Sequence, residues 1–478
     1  MRIQAITRLK SLPFSVTTPT AQAKPIRLPE PSRNFDFNPC PAIPVRAGLL
    51  TAACCLSLLL CSGSLTWGGD WPQVLGADRN GIAGPDEQLA RHWPREGPPE
   101  AWSRPVGSGQ AGVAIAGNRV FLFHRERNHE ILEALDLETG ETIFQDSSPT
   151  TFLPRFGTAN GPLCVPTVSQ GRVITFGAQG LLTCLNALTG QRIWQRDTQR
   201  DFRADGGDYG AGSCPLVIDQ HVIVNIGGRN GAGIVGFDLN TGATLWKSTS
   251  EPASYSAPVP VNIEDQQLAI MLTRYKCLML DPKSGTTLFE FPFGRRGPSR
   301  IGASPLILKD RLFVTASDGV GAMYAEFDLF GTRPLWAGER PIAAQTCTPI
   351  HQDGFLYVIN GRDDVPPADL LCVELASLHS PLRMDEAPPV RATGNATAVK
   401  WIEHDFGPGT LLMADRLILA QKTDGELLMF SPKPERYQRL ARCRPLKGPV
   451  KALPAFSNGF YILRNDETLK CLRIGRGL

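Results

Sequence analysis

The side chains that could bind a metal or catalyse a reaction in this sequence show no spacing that is typical of an active site. Two imidazoles can share one metal at His-Glu-x-x-His or His-x-His spacing, and neither pattern occurs here. His124 and His129 flank a charged tip at residues 125–128, which is typical of a solvated hairpin loop. The glycine-rich residues 227–233 lie between two predicted strands and open no helix, so they lack the context of a phosphate-binding loop. The histidines and glycines therefore predict no catalytic or metal site.

The twelve cysteines contain no Cys-x-x-Cys pair of the kind that binds zinc, and four of them lie in the first 65 residues. The other eight fall in or beside predicted strands. Those just before a strand-opening proline are Cys164, Cys214 and Cys347, and those in the third strand of a repeat are Cys184, Cys277, Cys372 and Cys471. Such regular positions favour buried cysteines that act as small apolar side chains. Disulfides between neighbouring strands remain an alternative in an exported protein.

The elements that would position any site are sequence repeats. Five segments share an apolar strand, an Asp or Asn turn, a glycine and a strand that ends in an aromatic residue; they are residues 134–144, 184–194, 236–246, 279–289 and 326–336. Their final aromatics are 50, 52, 43 and 47 residues apart. A period in this range indicates a propeller or a solenoid. The Asp or Asn opens the turn, the glycine supplies its left-handed conformation, and the aromatic can fill the wedge between blades.

A second hairpin precedes each of these segments, for example at residues 113–123 and 306–315. Together the two hairpins give four antiparallel strands per repeat, which is the unit of a propeller blade. Three eroded repeats follow, beginning at residues 350, 411 and 453, and the first of them carries a Pro- and Ala-rich insertion at residues 377–400. The last repeat contains only three strands. We predict that residues 100–106, with Trp102 at the wedge position, supply its outer strand and close the ring.

The sequence therefore predicts an all-β fold, an eight-bladed β-propeller of four-stranded antiparallel blades, or seven blades if one eroded repeat is not a blade. The predicted organisation is a leader at residues 1–65, a lead segment at residues 66–99 and the propeller at residues 100–478. Residues 1–65 carry seven basic and two acidic residues, which leaves 42 basic and 44 acidic residues in the remainder. A basic surface for nucleic acid is therefore not expected. The protein is also expected to be a monomer.

The leader resembles an export signal, because Arg46 precedes an apolar run at residues 47–60 that small residues follow. The predicted location is the periplasm or cell envelope. The 45 residues before the run indicate either a long charged region or a translation start further downstream, and a buried apolar helix is a further alternative. Cys61 could carry a lipid that tethers the chain to a membrane, although Leu60 before it is larger than the residue usual there.

The repeat resembles the pyrroloquinoline-quinone (PQQ) repeat family over roughly residues 102–474, most clearly in its Asp-x-x-Thr-Gly-x-x-x-Trp element. Residues 69–81, GDWPQVLGADRNG, resemble a segment that precedes the propeller in exported bacterial members of unassigned function. The family also contains the scaffold lipoprotein that helps to assemble outer-membrane β-barrels and dehydrogenases that use PQQ and calcium. In those enzymes the quinone lies between a Trp and a disulfide of adjacent cysteines.

Here the adjacent cysteines, Cys54 and Cys55, lie in the leader, and no spacing distinguishes Asp205 or Asp208 from loop residues as calcium ligands. We therefore expect no cofactor, with PQQ and calcium as the alternative. The leading hypothesis is a non-catalytic exported scaffold that binds an envelope protein. The alternatives are a quinone- and calcium-dependent dehydrogenase and an envelope sensor or polysaccharide-binding module with a glycan partner.

Binding in a propeller is expected where the loops that lead into the innermost strands meet around the central funnel. In this sequence those loops include residues 202–209, 254–256, 299–301 and 345–346. They bring charged and aromatic side chains to one face, and the candidate binding residues are Asp208, Tyr209, Tyr255, Arg300 and Gln345. The alternative is that these are ordinary rim residues.

Overall fold

Eight four-stranded antiparallel sheets contain almost all regular structure in the computed structural model of this protein. It describes residues 69–157, 160–204, 206–296, 300–363, 367–378 and 398–476. The first strands of successive repeats lie next to one another and the sheets surround a central channel, so the predicted eight-bladed β-propeller is confirmed. The leader with Cys61, residue Asp205 and most of the predicted insertion lie outside the described residues.

The first strand of the described residues, β1 (Glu100–Pro105), is set apart from the strand that follows it and belongs to blade 8. The strands of blades 1 to 4 are, in chain order, β2 (Val113–Ala116), β3 (Arg119–Glu126), β4 (His129–Asp136), β5 (Thr142–Pro149), β6 (Thr167–Ser169), β7 (Arg172–Phe176), β8 (Leu181–Asn186), β9 (Arg192–Asp197), β10 (Leu216–Ile218), β11 (His221–Asn225), β12 (Ile234–Asp238), β13 (Thr244–Ser248), β14 (Val259–Ile263), β15 (Gln266–Leu272), β16 (Lys276–Leu280) and β17 (Thr287–Pro292).

The strands of blades 5 to 8 follow as β18 (Leu306–Leu308), β19 (Arg311–Ala316), β20 (Gly321–Phe327), β21 (Thr332–Gly338), β22 (Ile350–Gln352), β23 (Phe355–Asn360), β24 (Asp369–Glu374), β25 (Val399–Glu403), β26 (Gly409–Ala414), β27 (Leu417–Lys422), β28 (Leu427–Ser431), β29 (Gln438–Cys443), β30 (Ala455–Ser457), β31 (Phe460–Arg464) and β32 (Thr468–Arg473). One helix, α1 (Thr198–Phe202), and a 3-10 turn at Leu375–Ser377 complete the described elements, and neither of these is long enough to cross a membrane.

The middle two strands of a blade are buried on both faces, because neighbouring blades pack against both sides of the sheet. In blade 2, β7 and β8 are buried except near their ends, whereas the outer strand β9 buries mainly Trp194. This explains why the sequence of the middle strands is continuously apolar rather than alternating. The eight cysteines of the propeller are free thiols; seven are buried and Cys443 is half-buried, in agreement with the predicted role as small apolar side chains.

The ring closes as predicted. Strand β1 pairs antiparallel with β32, with Trp102 opposite Cys471, and becomes the outer strand of blade 8. The indole N–H of Trp102 donates to the carbonyl of Leu137 in blade 1 at 2.8 Å, so this side chain occupies the wedge between the last blade and the first. The propeller consequently has no unpaired edge where its two ends meet.

The part of the lead segment that the structure describes, residues 69–99, runs along the inner strands, and its Val74 and Leu75 line one end of the central channel. Trp71 exchanges two hydrogen bonds with Ile115 of blade 1, with N–O distances of 3.0 and 2.8 Å. Gly81 and Ala83 pair with Met413 of blade 7, two blades away around the ring. Because it bonds to the inner strands of both blades, the lead segment ties them together.

The hairpin tip predicted at residues 125–128 is exposed at residues 126–128, but Arg125 is buried. Arg125 and the flanking His124 lie in β3, at 6% and 2% exposure. Gly107 donates its backbone N–H to His124 Nδ1 at 2.9 Å, so the imidazole hydrogen lies on Nε2, which faces the carboxylate of Glu133 at 3.6 Å. The prediction failed at Arg125 because β3 extends to Glu126 and backbone groups distant in sequence bond these side chains: the Arg125 guanidinium donates to the carbonyls of Phe152 and Asn160.

Glu133 lies at the centre of a buried polar cluster between blades 8 and 1. Burial would raise its pKa, but the Nε2 group of His124 that faces it, hydrogen bonds from Thr142 and Gln145 and the charge of Arg104 outweigh burial and lower the pKa of Glu133 to about 2. Arg104 Nη2 lies 2.9 Å from the carboxylate and belongs to β1. The cluster therefore links the strand that closes the ring to the blade that follows it.

We expect Glu133→Gln to be less stable than the wild type at pH 6, and this difference to shrink as the pH falls. The pKa of Glu133 is lowered by folding, so the ionised carboxylate stabilises the protein above the unfolded pKa and this contribution disappears as pH falls towards 2. At about 1.4 kcal/mol per pKa unit, the difference in unfolding free energy between wild type and variant should shrink by about 2–3 kcal/mol between pH 6 and pH 2. Urea titrations across this range measure it, and a difference independent of pH would contradict the assignment. Burial raises the pKa values of Glu130 and Glu87, so their contributions to stability change with pH in the opposite direction. Comparing the variant with the wild type at each pH cancels these contributions and leaves that of Glu133.

Candidate functional site

A cavity of about 470 Å³ opens at the end of the channel opposite the lead segment. Its wall consists mainly of loops that lead into the inner strands, as expected for a propeller funnel. The wall contains both charged and aromatic side chains, among them Phe156, Tyr209, Tyr255, Arg300, Asp363, Lys451 and Asp466. A cavity of this volume is within the range of small-molecule and cofactor sites in proteins.

Below this mouth the cavity narrows into a second compartment of about 70 Å³, which we call the shaft. Its wall is mainly apolar and includes Leu163, Val165 and Ala257. Val74 and Leu75 of the lead segment also line it, so the shaft ends against this segment. The funnel is therefore open to solvent at its mouth and closed at its base.

Three of the five predicted residues meet at the cavity wall. The rings of Tyr209 and Tyr255 are in edge-to-face contact with centroids 5.8 Å apart, and the Arg300 guanidinium lies 4.4 Å from the Tyr209 centroid. The backbone N–H of Tyr209 donates to the hydroxyl of Tyr255 at 3.0 Å. These contacts fix the loops of blades 3, 4 and 5 against one another, and they hold the guanidinium in one position.

Tyr255 contributes mainly structure rather than acid–base chemistry. Burial raises the pKa of Tyr255 to about 12, and the carboxylate of Asp208 nearby adds to the increase. The phenol therefore stays protonated at neutral pH and accepts a hydrogen bond from Tyr209. Its ring, in contact with Tyr209, forms part of the wall of both the cavity and the shaft.

Asp208 lies beside the cavity, in a small adjoining pocket, and not on the main wall. Its carboxylate is 3.8 Å from Arg155 and 3.9 Å from Arg274. The backbone carbonyl of Asp208 accepts a hydrogen bond from the N–H of Arg155 at 3.0 Å. Asp208 thus attaches the rim loop that contains Arg155 to blade 3.

Gln345 is buried behind the wall and supports another residue. Its Oε1 accepts the backbone N–H of Asp363 at 3.2 Å, and its Nε2 donates to Asp318 at 3.3 Å. The side chain is only 1% exposed and does not line the cavity. The sequence correctly assigned Gln345 to a loop at the funnel, but the burial of its side chain depends on packing that the loop sequence does not reveal.

Three charged residues of the wall, Asp363, Lys451 and Asp466, were not predicted from the sequence. Asp363 lies 3.5 Å from Arg300 and 3.6 Å from Lys451, so one carboxylate is shared by two cations. Lys451 lies in the loop that leads into β30, and aligning the eroded last repeat with the others would have placed it at the funnel. Asp363 lies in a loop between the second and third strands of blade 6, for which the repeat pattern carries no signal.

The comparisons with known proteins agree with the architecture. The family model described as "Outer membrane protein assembly factor BamB" matches residues 127–377, which is more than half of the chain. The chain belongs to this family of PQQ-like β-propellers. No curated protein gives a significant match to the sequence.

Several solved structures share the fold. BamB from Moraxella catarrhalis is 16% identical, with 79% of this chain and 100% of that chain covered and a TM-score of 0.55. Quinohemoprotein alcohol dehydrogenase from Comamonas testosteroni is 12% identical, with 84% of this chain and 80% of that chain covered and a TM-score of 0.59. The computationally designed Ika8 protein is 13% identical, with coverages of 78% and 99% and a TM-score of 0.50. At these identities the likeness shows the fold alone.

The described residues of the cavity wall do not fit the PQQ and calcium of the dehydrogenases. Calcium takes about six to eight oxygen ligands, whereas two carboxylates, Asp363 and Asp466, line the described wall. Asp363 already lies between two cations, and Asp466 accepts a hydrogen bond from the N–H of Gly109 at 3.0 Å. Nowhere in the described residues do three His, Cys, Asp or Glu side chains form a group that could hold a metal. The described lining also contains neither a tryptophan nor a pair of adjacent cysteines to enclose a quinone.

Proposed function

We propose that this chain is a non-catalytic exported β-propeller that acts as a protein-binding scaffold in the cell envelope. The observation that carries the proposal is the composition of the funnel. In its described wall Arg300 and Lys451 pair with Asp363, and Asp466 accepts the N–H of Gly109. None of its described residues places a nucleophile beside a general base. Membership of a family described as an outer membrane protein assembly factor supports the same role.

The rim beside the funnel provides apolar surface for a partner. Leu153 is 76% exposed and Phe156 is 57% exposed, and Phe156 also lines the cavity. Both belong to the rim loop that Arg155 attaches to Asp208. Exposed apolar side chains that adjoin a cavity are typical of an interaction surface. We therefore place the partner at the funnel face.

Site-specific cross-linking tests this placement. A photo-cross-linking amino acid at Leu153 should link the protein, in cells, to one discrete envelope protein, and an excess of unlabelled protein should suppress the product. The matched control is the same substitution at Leu188, which is 68% exposed in the outer turn of blade 2, away from the funnel. Equal products from both positions, or none from Leu153, would contradict a partner at the funnel face.

A quinone- and calcium-dependent dehydrogenase is the second candidate, favoured by the structural likeness to quinohemoprotein alcohol dehydrogenase. The protein incubated with PQQ and calcium would then reduce an artificial electron acceptor with an alcohol or a sugar as donor. We expect no reduction above that of the cofactor alone, and a donor-dependent rate would overturn the non-catalytic assignment.

A further inference from the structure

Two of the buried thiols lie against each other between blades 2 and 3. Cys164 precedes β6 and Cys214 precedes β10, the innermost strands of these blades. The Sγ of Cys164 lies 3.6 Å from the carbonyl oxygen of Ala211, and the hydroxyl of Thr167 donates to the carbonyl of the next blade's Pro215 at 2.9 Å. Blade 2 thus contacts the chain on both sides of Cys214, and the two thiols interact directly. A disulfide between them would join the inner strands of two blades.

A buried positive charge lies beside this pair of thiols. The guanidinium of the fully buried Arg79 donates to neutral acceptors, the Gln73 amide and two proline carbonyls. No carboxylate among the described residues pairs with it, and the charges that act on it are those of the Cys164 and Cys214 thiols. A buried charge is costly unless an opposite charge offsets it. The surroundings of Arg79 therefore favour one thiolate in the pair.

The two thiols differ in how readily they ionise. The hydrogen bond from Cys164 and the charge of Arg79 outweigh burial and lower the pKa of Cys214. Burial raises the pKa of Cys164, which therefore stays protonated beside it. The isolated Cys277 of blade 4 is also fully buried, and burial alone raises its pKa. Because the thiolate is the nucleophilic form of cysteine, Cys214 is the reactive member of the pair.

Cys214 is also the thiol that a molecule in the funnel can reach. It lines the shaft of about 70 Å³, whereas Cys164 does not. Besides apolar groups, the shaft wall contains side chains that donate and accept hydrogen bonds, namely those of Gln110, Ser304, Thr346 and Thr348. The shaft volume holds about two or three groups of the size of a water molecule. The shaft therefore accommodates a small polar molecule such as hydrogen peroxide and excludes a bulky oxidant.

We propose that Cys214 and Cys164 form an oxidation site, at which hydrogen peroxide that enters through the funnel converts the two thiols into a disulfide between blades 2 and 3. The Cys214 thiolate attacks one peroxide oxygen, the O–O bond breaks and hydroxide leaves, which gives a sulfenic acid. The Cys164 thiol then attacks this sulfur, the S–O bond breaks, and the leaving hydroxide takes the Cys164 proton to form water. The first hydroxide takes the proton that Cys214 released. Two thiols thus supply two electrons to one peroxide, and the products are one disulfide and two waters.

Peroxide treatment of the purified protein, followed by mass spectrometry, tests the proposal independently of the scaffold function. The folded, reduced protein receives a stoichiometric amount of hydrogen peroxide, and the remaining thiols are then alkylated in denaturant. We expect the peptides that contain Cys164 and Cys214 to be joined by a disulfide that a thiol reductant cleaves. Cys277, equally buried but isolated, should be alkylated throughout. Oxidation of Cys277 at the same rate, or the recovery of Cys164 and Cys214 in unlinked form, would overturn the proposal.

A bulkier oxidant tests the route through the funnel. Cumene hydroperoxide contains the same O–O bond but does not fit a compartment of about 70 Å³. It should therefore oxidise Cys214 at least about tenfold more slowly than hydrogen peroxide does, because the reaction then requires local opening of the blades. The ratio of the two rates in the denatured protein corrects for the intrinsic reactivity of the oxidants. An equal ratio in the folded protein would contradict entry through the funnel.

Variants assign the role of each group. In Cys164→Ser, peroxide should leave Cys214 as a sulfenic acid that dimedone labels, whereas in Cys214→Ser the thiol of Cys164 should stay reduced. Arg79→Met should slow formation of the disulfide at least about tenfold, because the thiolate loses its neighbouring charge. Cys277→Ser is the control and should leave the rate unchanged. Thermal unfolding verifies that each variant is folded, and if Arg79→Met is not, the cysteine variants still decide. Dimedone labelling of Cys164 in Cys214→Ser at the wild-type rate would overturn the proposal.

Discussion

Replacing Arg79 with alanine is expected to lower the free energy of unfolding by about 3–5 kcal/mol, which is a large part of the stability of an ordinary domain. Arg79 is fully buried in the lead segment. Its guanidinium donates to Gln73 Oε1 and to the carbonyl of Pro258, both at 2.8 Å, and also to the carbonyl of Pro215. One side chain therefore connects the lead segment to the inner strands of blades 3 and 4.

The expected loss has two physical sources. Truncation leaves a cavity, and it leaves the carbonyl of Pro258 and the amide of Gln73 without the donor they have in the wild type. Arg79→Met fills most of the volume but donates no hydrogen bond, so it should cost about 2–4 kcal/mol and separate the two sources. Burial lowers the pKa of Arg79 to about 10, so the side chain remains charged at neutral pH. Removing the buried charge offsets part of the lost stability, and the range expected for Arg79→Met includes this gain.

Arg91→Ala provides the matched control for Arg79. Arg91 belongs to the same lead segment, but it is about half exposed and forms a surface ion pair with Asp415 at 2.9 Å. Exposed ion pairs contribute about 0–1 kcal/mol, so this variant should unfold at nearly the wild-type denaturant concentration. Equal and small effects of both substitutions would show that the lead segment is not part of the stable core of the propeller.

The sequence predicted the blades well because the repeat combines several local signals. Apolar strands, an Asp or Asn turn and a wedge aromatic recur at a nearly constant period, and even the ring closure by Trp102 followed from a missing strand. The course of the lead segment along the channel could not be predicted, because its hydrogen bonds connect residues that are distant in sequence. Arg79 is an example: its partner Pro258 lies 179 residues away, and an isolated arginine in a loop is ordinarily exposed.

The site was predicted only in part, for a related reason. Tyr209, Tyr255 and Arg300 were found because the loops before inner strands must converge in a propeller. Whether a residue in such a loop faces the cavity depends on side-chain packing, so Gln345 was placed on the wall although it supports Asp363 from behind. The contribution of these five residues to binding remains a prediction.

The second large effect is expected at the contact between the wedge aromatics and the turn glycines. Trp194 of blade 2 packs on Gly242, the glycine of the turn in blade 3, and its indole N–H donates to the carbonyl of Leu239 at 2.9 Å. The same contact recurs between other neighbouring blades, in the pairs Trp102 with Gly140, Phe144 with Gly190 and Trp246 with Gly285. The two ends of the sequence repeat therefore meet across each of these blade boundaries.

Gly242→Ala should lower the free energy of unfolding by about 3 kcal/mol or more, for two additive reasons. The glycine has a φ of +68°, which is unfavourable for alanine, and an added Cβ would lie 2.6 Å from Cδ2 of Trp194. Gly117→Ala is the control for the backbone alone, because Gly117 has a φ of +55° and no atom within 4 Å of the added Cβ. It should cost about 1–2 kcal/mol. Gly331→Ala, with neither strain nor contact, should be nearly neutral.

A double-mutant cycle separates packing from backbone strain at this boundary. Trp194→Ala alone should cost about 3–5 kcal/mol, since a large buried side chain and its hydrogen bond are lost. In the double variant the methyl group that Gly242→Ala adds no longer meets an indole, so the combined loss should be smaller than the sum of the single losses by about 1–3 kcal/mol. Denaturant unfolding of the four proteins measures this coupling. Additive losses would show that Gly242 is required for its backbone conformation alone, and that the glycine and the aromatic of the repeat are independent.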